Sequence, residues 1–422
     1  MQLKSFAHAF VLIAAGYQAV DAAPAAAGLK IGHHTTIIHG KMTTLGHHHK
    51  TKTGPTKTHA PVGPAPTSAP PPPANPSVPA SCHLTKYSKS AVAAAVSSCS
   101  NIILDGLQVT GGETLDLSKL KAGANVLFRG TTTFEHANWQ GPLVVVSGSD
   151  ITVDGTGATL DGQGALYWDG KGSNGGVTKP KFFALHYATR AKVTNVRLLN
   201  SPVQAFSING CTDCQIINPT HDNAAGDNAG GHNTDSMDIG ASSNVIVSGA
   251  KFHSQDDCVA VNSGVGITFT GGSCIGGHGL SIGSVGKADS TAKNTVKNVV
   301  FADSTVANSQ NGLRIKTIAG GTGSVSGITY RNIKLNNISN FGITIQQDYR
   351  NGGPTGKPTT GVPISGVLLE NVSGDVTSGA AQVNVLCGSS TSCSGFAFKN
   401  VALTGGAPKE NCSKFVSVCA AL

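Results

Sequence analysis

Beyond residue 81 the chain repeats one motif: a few residues of alternating apolar and polar character, ended by Gly, Asn, Asp or Ser. The segments NVLFRG, DITVDG, KVTNVRLLN, CQIINP, NVIVSG, GITFTG, KNVVFAD, GITYRNIKLNN and SGVLLENV rhyme with one another. Anchored at Val126, Ile151, Val193, Ile216, Val245, Ile267, Val299, Ile328 and Val367, they are separated by 22 to 42 residues, mostly 22 to 32. Alternation over such short runs predicts strands, with turns between them. Irregular repeats of this length, each carrying one or more strands, predict an all-β, single-domain parallel β-helix. In such a solenoid each coil buries its apolar face only by stacking on the next. The rival is a β-sandwich, which would put turn signals roughly every 8 to 12 residues. Asn195, Asn244 and Asn298 precede strands and fit turn positions where Asn tolerates a left-handed backbone.

The two ends of the chain break this pattern. SKSAVAAAVSSC, residues 88–99, has no Gly or Pro and predicts a short amphipathic helix, tied by a Cys82 to Cys99 bridge, that caps the open end of the solenoid. Residues 23–80, rich in Thr, Pro, His, Lys and Ala, cannot build a core and predict a disordered propeptide or linker. The HHH at 47–49 is compositional, and solvated linker is preferred to metal binding there. Residues 1–22 run from Lys4 through an apolar stretch to small residues and predict a secretory signal peptide. The catalytic or binding domain is therefore expected at 81–422.

Composition adds three constraints. Gly at 54 residues, with only 12% charged and 5% aromatic, favours tight turns over long helices. Ten cysteines, an even number, suit an oxidising destination and local disulfides. Cys211 and Cys214 form a CxxC, but with no second CxxC nearby and no thioredoxin-like context, zinc and redox readings are weak. The net charge is +8, yet residues 1–80 carry six lysines and one acid, so only +3 belongs to the remainder. Nucleic-acid binding finds no support in that distribution. No membrane span or lipid-anchor tail is visible.

Against this sparse background, Asp235, Asp256 and Asp257 stand inside strand-like sequence. Asp256 follows Asp235 by 21 residues and His278 follows Asp256 by 22, so one coil apiece stacks them into a column. Arg314 and Lys316 come 36 and 38 residues after His278, one long coil or two short ones, and flank Ile315 so that both project from one face. Crowded carboxylates raise one another's pKa, and glycosidic cleavage needs one protonated and one ionised carboxyl. Arg and Lys beside them suit an anionic sugar. A calcium-dependent polysaccharide lyase is the enzymatic runner-up, and a catalytically dead wall-binding β-helix is the non-enzymatic one. The DNAAGDNAGG run at 222–231 lacks the closing glutamate of an EF-hand, and GGTGS at 320–324 does not sit between strand and helix.

NTD at 233–235, DD at 256–257, GHG at 277–279 and RIK at 314–316, within the longer GGHNTD, QDDCVAVNSG and GGHGLSIGSVG, resemble the fungal endo-polygalacturonases of glycoside hydrolase family 28. The resemblance spans 81–422 and leaves 23–80 uncovered. It implies a right-handed parallel β-helix that hydrolyses internal α-1,4 bonds of the pectate polymer with inversion and without a cofactor or metal. It makes Asp256 the general acid, Asp235 with Asp257 the holder and base for water, and His278 the residue that tunes the acid. It assigns Arg314, Lys316, Tyr349 and Asn233 to substrate binding; an exo-acting relative is the alternative. The implied disulfides are Cys82–Cys99, Cys258–Cys274, Cys387–Cys393 and Cys412–Cys419, leaving Cys211 and Cys214 to pair across a tight loop. A secreted monomer that plant inhibitor proteins can engage is also implied. Sequons at Asn337, Asn371 and Asn411 are expected to carry glycans on outward faces.

Overall fold

The computed structural model describes residues 78–287, 294–351 and 353–420; the expected signal peptide and the leader up to residue 77, with its histidines, lie outside them. From Cys82 onward the chain winds as a solenoid of short strands. Each strand pairs in parallel with its counterpart one coil before and one coil after. Parallel stacking excludes the sandwich, whose sheets are antiparallel. The exception is one small antiparallel pairing, Phe341–Arg350 with Gly353–Pro354.

Seven successive strands of one sheet matter for function: β1 (Phe183–His186), β2 (Phe206–Asn209), β3 (Met237–Gly240), β4 (Val259–Val261), β5 (Leu280–Val285), β6 (Asn311–Ile318) and β7 (Phe341–Arg350). Phe183, Phe206, Met237, Val259, Leu280 and Leu313 follow one another in register, buried in the interior. The next residue along each strand forms a second line on the outer face: Ala184, Ser207, Asp238, Ala260, Ser281 and Arg314. A side-chain period of two separates core from cleft. Arg314 pairs directly with Ser281, so one coil, lengthened by a loop after β5, spans the distance from His278.

Of the repeating anchors read from the sequence, all but Ile151 belong to the opposing strands, and Ile151 is buried immediately before the strand Thr152–Asp154. Val245, Ile267, Val299, Ile328 and Val367 are direct neighbours on five successive coils, and Val193 pairs with Ile216. Each such side chain contributes about 1.5–3 kcal/mol by leaving water. Between the sheets Phe206, Phe252, Phe269, Phe301 and Tyr330 form an aromatic file with centroids 5.0 to 6.4 Å apart. Asn195, Asn244 and Asn298 have φ of 55°, 53° and 55°, the left-handed turn expected of them. Their amides also bond between coils: Asn218 donates to Asn195 at 3.1 Å, and Asn371 to Asn332 at 3.0 Å.

The helix α1 (Lys89–Ser98) caps the first coil, with Ser88 Oγ accepting from the Ala91 N–H at 3.2 Å and Val92, Ala95 and Val96 buried. Disulfides join Cys82 to Cys99, Cys258 to Cys274, Cys387 to Cys393 and Cys412 to Cys419. The expected Cys211–Cys214 bridge is not formed: both are buried free thiols. The Cys211 thiol donates to the Leu185 carbonyl at 3.2 Å and the Cys214 thiol to the Ala188 carbonyl at 3.4 Å, so each sulfur closes a turn of the preceding coil.

Candidate active site

The outer face of β3 to β6 gathers the sequence-derived residues into one cleft. Asp256 and Asp257 sit immediately before β4, Asp235 before β3, and Arg314 and Lys316 project from β6. The Ser236 N–H donates to the Asp257 carbonyl at 2.9 Å, so Asp235 and Asp257 occupy adjacent coils at neighbouring positions.

Asp257 is buried and fully engaged. One of its oxygens accepts from Lys316 Nζ at 2.6 Å, and the other accepts from Ser281 Oγ at 2.7 Å and from Arg314 at 3.5 Å. Burial works against the Lys316 ammonium, but the charges of Asp257, Tyr349 and Asp256 together outweigh this and hold its pKa above the ordinary value. The Tyr349 ring closes the far side, 5.5 Å from the Arg314 guanidinium carbon and 5.3 Å from Lys316 Nζ, within cation–π range. Beneath β6 the buried Tyr330 hydroxyl donates to the Arg314 carbonyl at 3.1 Å and fixes that stretch of backbone.

Asp256 accepts from three sides: His278 Nδ1 at 2.8 Å, the Asp257 N–H at 2.8 Å and Asn233 Nδ2 at 3.0 Å. Burial alone would raise its pKa, but its hydrogen bond and electrostatic attraction to His278 reverse the effect and hold the carboxyl well below its usual range. Asp235 is the opposite case. Among the described residues nothing hydrogen-bonds to its carboxyl, and burial, followed by the charges of Asp256, Asp238 and Asp257, pushes its pKa well up. The expected splitting of carboxyl pKa values is therefore present, with the raised member at Asp235 rather than at Asp256.

Asn233 and Gly277 shape the surroundings of Asp256. Asn233, expected to bind substrate, is used at both ends: its amide supports Asp256, and its Oδ1 accepts from the Ser173 N–H at 3.1 Å and Ser173 Oγ at 3.2 Å. It ties the loop before β1 to the Asp256 carboxyl. In GHG, Gly277 has φ of 62°, and a Cβ there would lie 2.0 Å from the Asp256 carbonyl oxygen. Only glycine lets the His278 coil lie so close.

Asp256, Asp257 and His278 are the group among the described residues whose ligand atoms lie close enough, within 4.8 Å, to hold a metal ion. Asp256 and His278 are hydrogen-bonded to each other, and Asp257 is bonded to Ser281 and Lys316.

Residues 99–421 match the model of glycosyl hydrolases family 28. The chain belongs to that family. The polygalacturonase of Cochliobolus carbonum is 56% identical over 317 residues, covering 75% of this chain and 86% of that protein. The endo-polygalacturonase of Sclerotinia sclerotiorum is 52% identical over 319 residues, 75% of this chain and 82% of its own. Among solved structures, endopolygalacturonase I of Stereum purpureum, complexed with two galacturonates, superposes with a TM-score of 0.68 at 36% identity, covering 74% and 92% of the two chains.

Within this family member's cleft, two residues gave no signal in the sequence. Ser281 reads as an ordinary polar strand residue but donates to Asp257. Asp238 lies on the outer face of β3, and burial, opposed by Lys181 and reinforced by Asp257 and Asp256, lifts its pKa to about 7. Its spacing of three from Asp235 fits neither strand nor coil periodicity, so only the register exposes it.

Proposed function

We propose that the protein is a secreted endo-polygalacturonase that hydrolyses internal α-1,4 bonds of unesterified galacturonan with inversion. The observation that carries the reading is the cluster of Asp235, Asp256 and Asp257 with Arg314 and Lys316 at the outer face of one sheet. The match in sequence to fungal endopolygalacturonases supports the substrate and the internal mode of attack. Arg314, Lys316 and Tyr349 form a cationic corner for a substrate carboxylate. Asp256 delivers the proton it shares with His278 to the departing oxygen as the bond from C1 breaks. Water held by Asp235 and Asp257 attacks C1 from the opposite face and passes its proton to Asp235.

The raised carboxyl of Asp235 favours a second reading in which Asp235 supplies the acid proton and Asp256, held ionised, takes the proton from water. A substrate with an activated leaving group separates the two: it rescues the variant lacking the acid and not the variant lacking the base. If D256N recovers on such a substrate and D235N does not, the first assignment stands; the reverse pattern exchanges the roles.

The overall activity is tested on polygalacturonate by following reducing ends, product sizes and the ultraviolet absorbance of unsaturated ends together. Mixed oligomers without unsaturated ends, and a loss of at least about a thousandfold in D256N, are expected. Unsaturated ends that vanish with a calcium chelator would replace the hydrolase by the lyase. Secretion through residues 1–22 and glycans at Asn337, Asn371 and Asn411 belong to the same proposal, supported by the four disulfides and by the exposure of Asn337 and Asn371.

A further inference from the structure

Tyr187 follows β1 directly and is the most exposed large hydrophobic side chain among the described residues, at 74%. Its φ is 53°, a left-handed conformation that a bulky aromatic residue adopts only when its surroundings impose it. The Tyr187 N–H donates to the Asn209 carbonyl at 2.8 Å and so fixes the turn. The ring reaches over the next coil: a Cβ on Gly210 would lie 2.7 Å from the ring carbon Cδ1. Glycine at 210 thus makes room for the ring to lie along the helix axis, in the direction of Asp238.

The register joins this ring to the cleft. Its neighbour His186 shares one outer line with Asn209 and Gly240, and Gly240 carries no side chain to interrupt it. The same strand position on β6 is taken by Lys316. Tyr349, which flanks Lys316, lies near the same end of the strands, in β7, on the other side of the coils that carry Asp235 and Asp256. His186 Nε2 is 3.0 Å from Ser207 Oγ, and its ring stands 6.2 Å from Tyr187 at 78°. An aromatic face with hydroxyl, amide and imidazole groups beside it matches a sugar ring, which has an apolar C–H face and a hydroxyl rim. The charge of Lys181, at the start of the same stretch, reaches both His186 and Asp238 and favours an anionic ring there.

We infer that Tyr187 is a stacking platform for a galacturonate two to three units from the cleaved bond, with His186, Ser207 and Asn209 facing its hydroxyls. Coils repeat about every 4.8 Å, and Tyr187 stands two coils before β3, which follows Asp235, and three before β4, which follows Asp256. The inference rests on galacturonan being the substrate. A strained, solvent-exposed aromatic residue weakens the fold unless it binds something, so the ring is retained for recognition rather than for packing.

Full-length wild type, Y187A, Y187F and Y187G are compared on oligogalacturonates of increasing length. Affinity for the same oligomers is also measured in the inactive D256N background. Loss of the ring should lower kcat/KM and affinity roughly three- to tenfold for long oligomers, with the loss shrinking as the oligomer shortens. Y187F should recover most of it. Y187G should raise the thermal midpoint while weakening long-oligomer binding, a combination that a purely structural residue does not give. An equal loss at every length, no loss, or a failure of Y187F to rescue would overturn the platform. If wild type fails to cleave polygalacturonate the activity reading falls, and the binding series still decides the role of Tyr187.

Discussion

At the scale of single residues, the acidic cluster is a balance of charges in which burial of Asp238 outweighs the opposing charges of Lys181 and Lys316. Its carboxyl, raised to about 7 by burial, lies on the coil of Asp235 and adds to the charges that raise the pKa of Asp235. Removing that charge in D238N should let Asp235 ionise at lower pH. The limb of the kcat/KM profile that reports Asp235 then moves toward acid, and an unmoved limb would show that the two carboxyls do not sense each other. Asp235, Asp256, His278 and the Arg314 and Lys316 pair were legible in the sequence because charged residues at coil spacing are conspicuous in a chain that is only 12% charged. Asp238 and Ser281 were not, since a polar residue at an outward strand position is what a solvated face also shows. The free thiols of Cys211 and Cys214 were misjudged for a related reason. Pairing was inferred by elimination among ten cysteines, whereas each sulfur is satisfied by a backbone carbonyl of the coil before it.

At the scale of elements, all nine anchor segments fall in the strands opposite the cleft, and none in β1 to β7. The anchored strands hold Val, Ile, Leu and Phe on their inner face, so their periodicity is clear. The cleft strands mix Ser, Gly, Asp, Arg and Lys into their outer face, and function blurs the pattern there. One buried histidine joins the two sets. His221 is 1% exposed, with Nδ1 2.9 Å from Ser236 Oγ beside β3 and, among the described residues, no partner for Nε2. Burial drives its pKa down to about 3, against a lesser opposing pull from Asp222. The unfolded chain binds this proton near pH 6.5 and the folded one only near 3. Stability is thus fully present above the unfolded value and is lost as pH falls between them, by up to about 5 kcal/mol. H221F should flatten the pH dependence of the urea midpoint across that window; a slope equal to wild type would remove His221 from the acid lability.

At the scale of the whole molecule, a solenoid has nearest-neighbour stability and two vulnerable ends. The cap α1 covers the first coil with Val92, Ala95 and Val96. In V96D a charge sits beneath that cap, and amide exchange should begin in the first coils and advance, with β3 to β5 exchanging last. Exchange that rises in all coils together, read by mass spectrometry of peptides, would show a globally cooperative unit instead. The fold class itself was legible because the repeat length, the turn asparagines and the alanine-rich cap agree with one another.

Stacking strands in strict parallel register has one more consequence, for how such a protein can change. Every outer line of the sheet gains one residue per coil, and along the sheet Tyr187 and Asp238 are separated by β2. A duplicated coil inserted between β1 and β3 would lengthen the groove by about 4.8 Å without disturbing any bond to Asp256 or Asp257. Preference for polymer length is then a matter of counting coils, and evolution can edit it by gene duplication while the chemistry stays where it is.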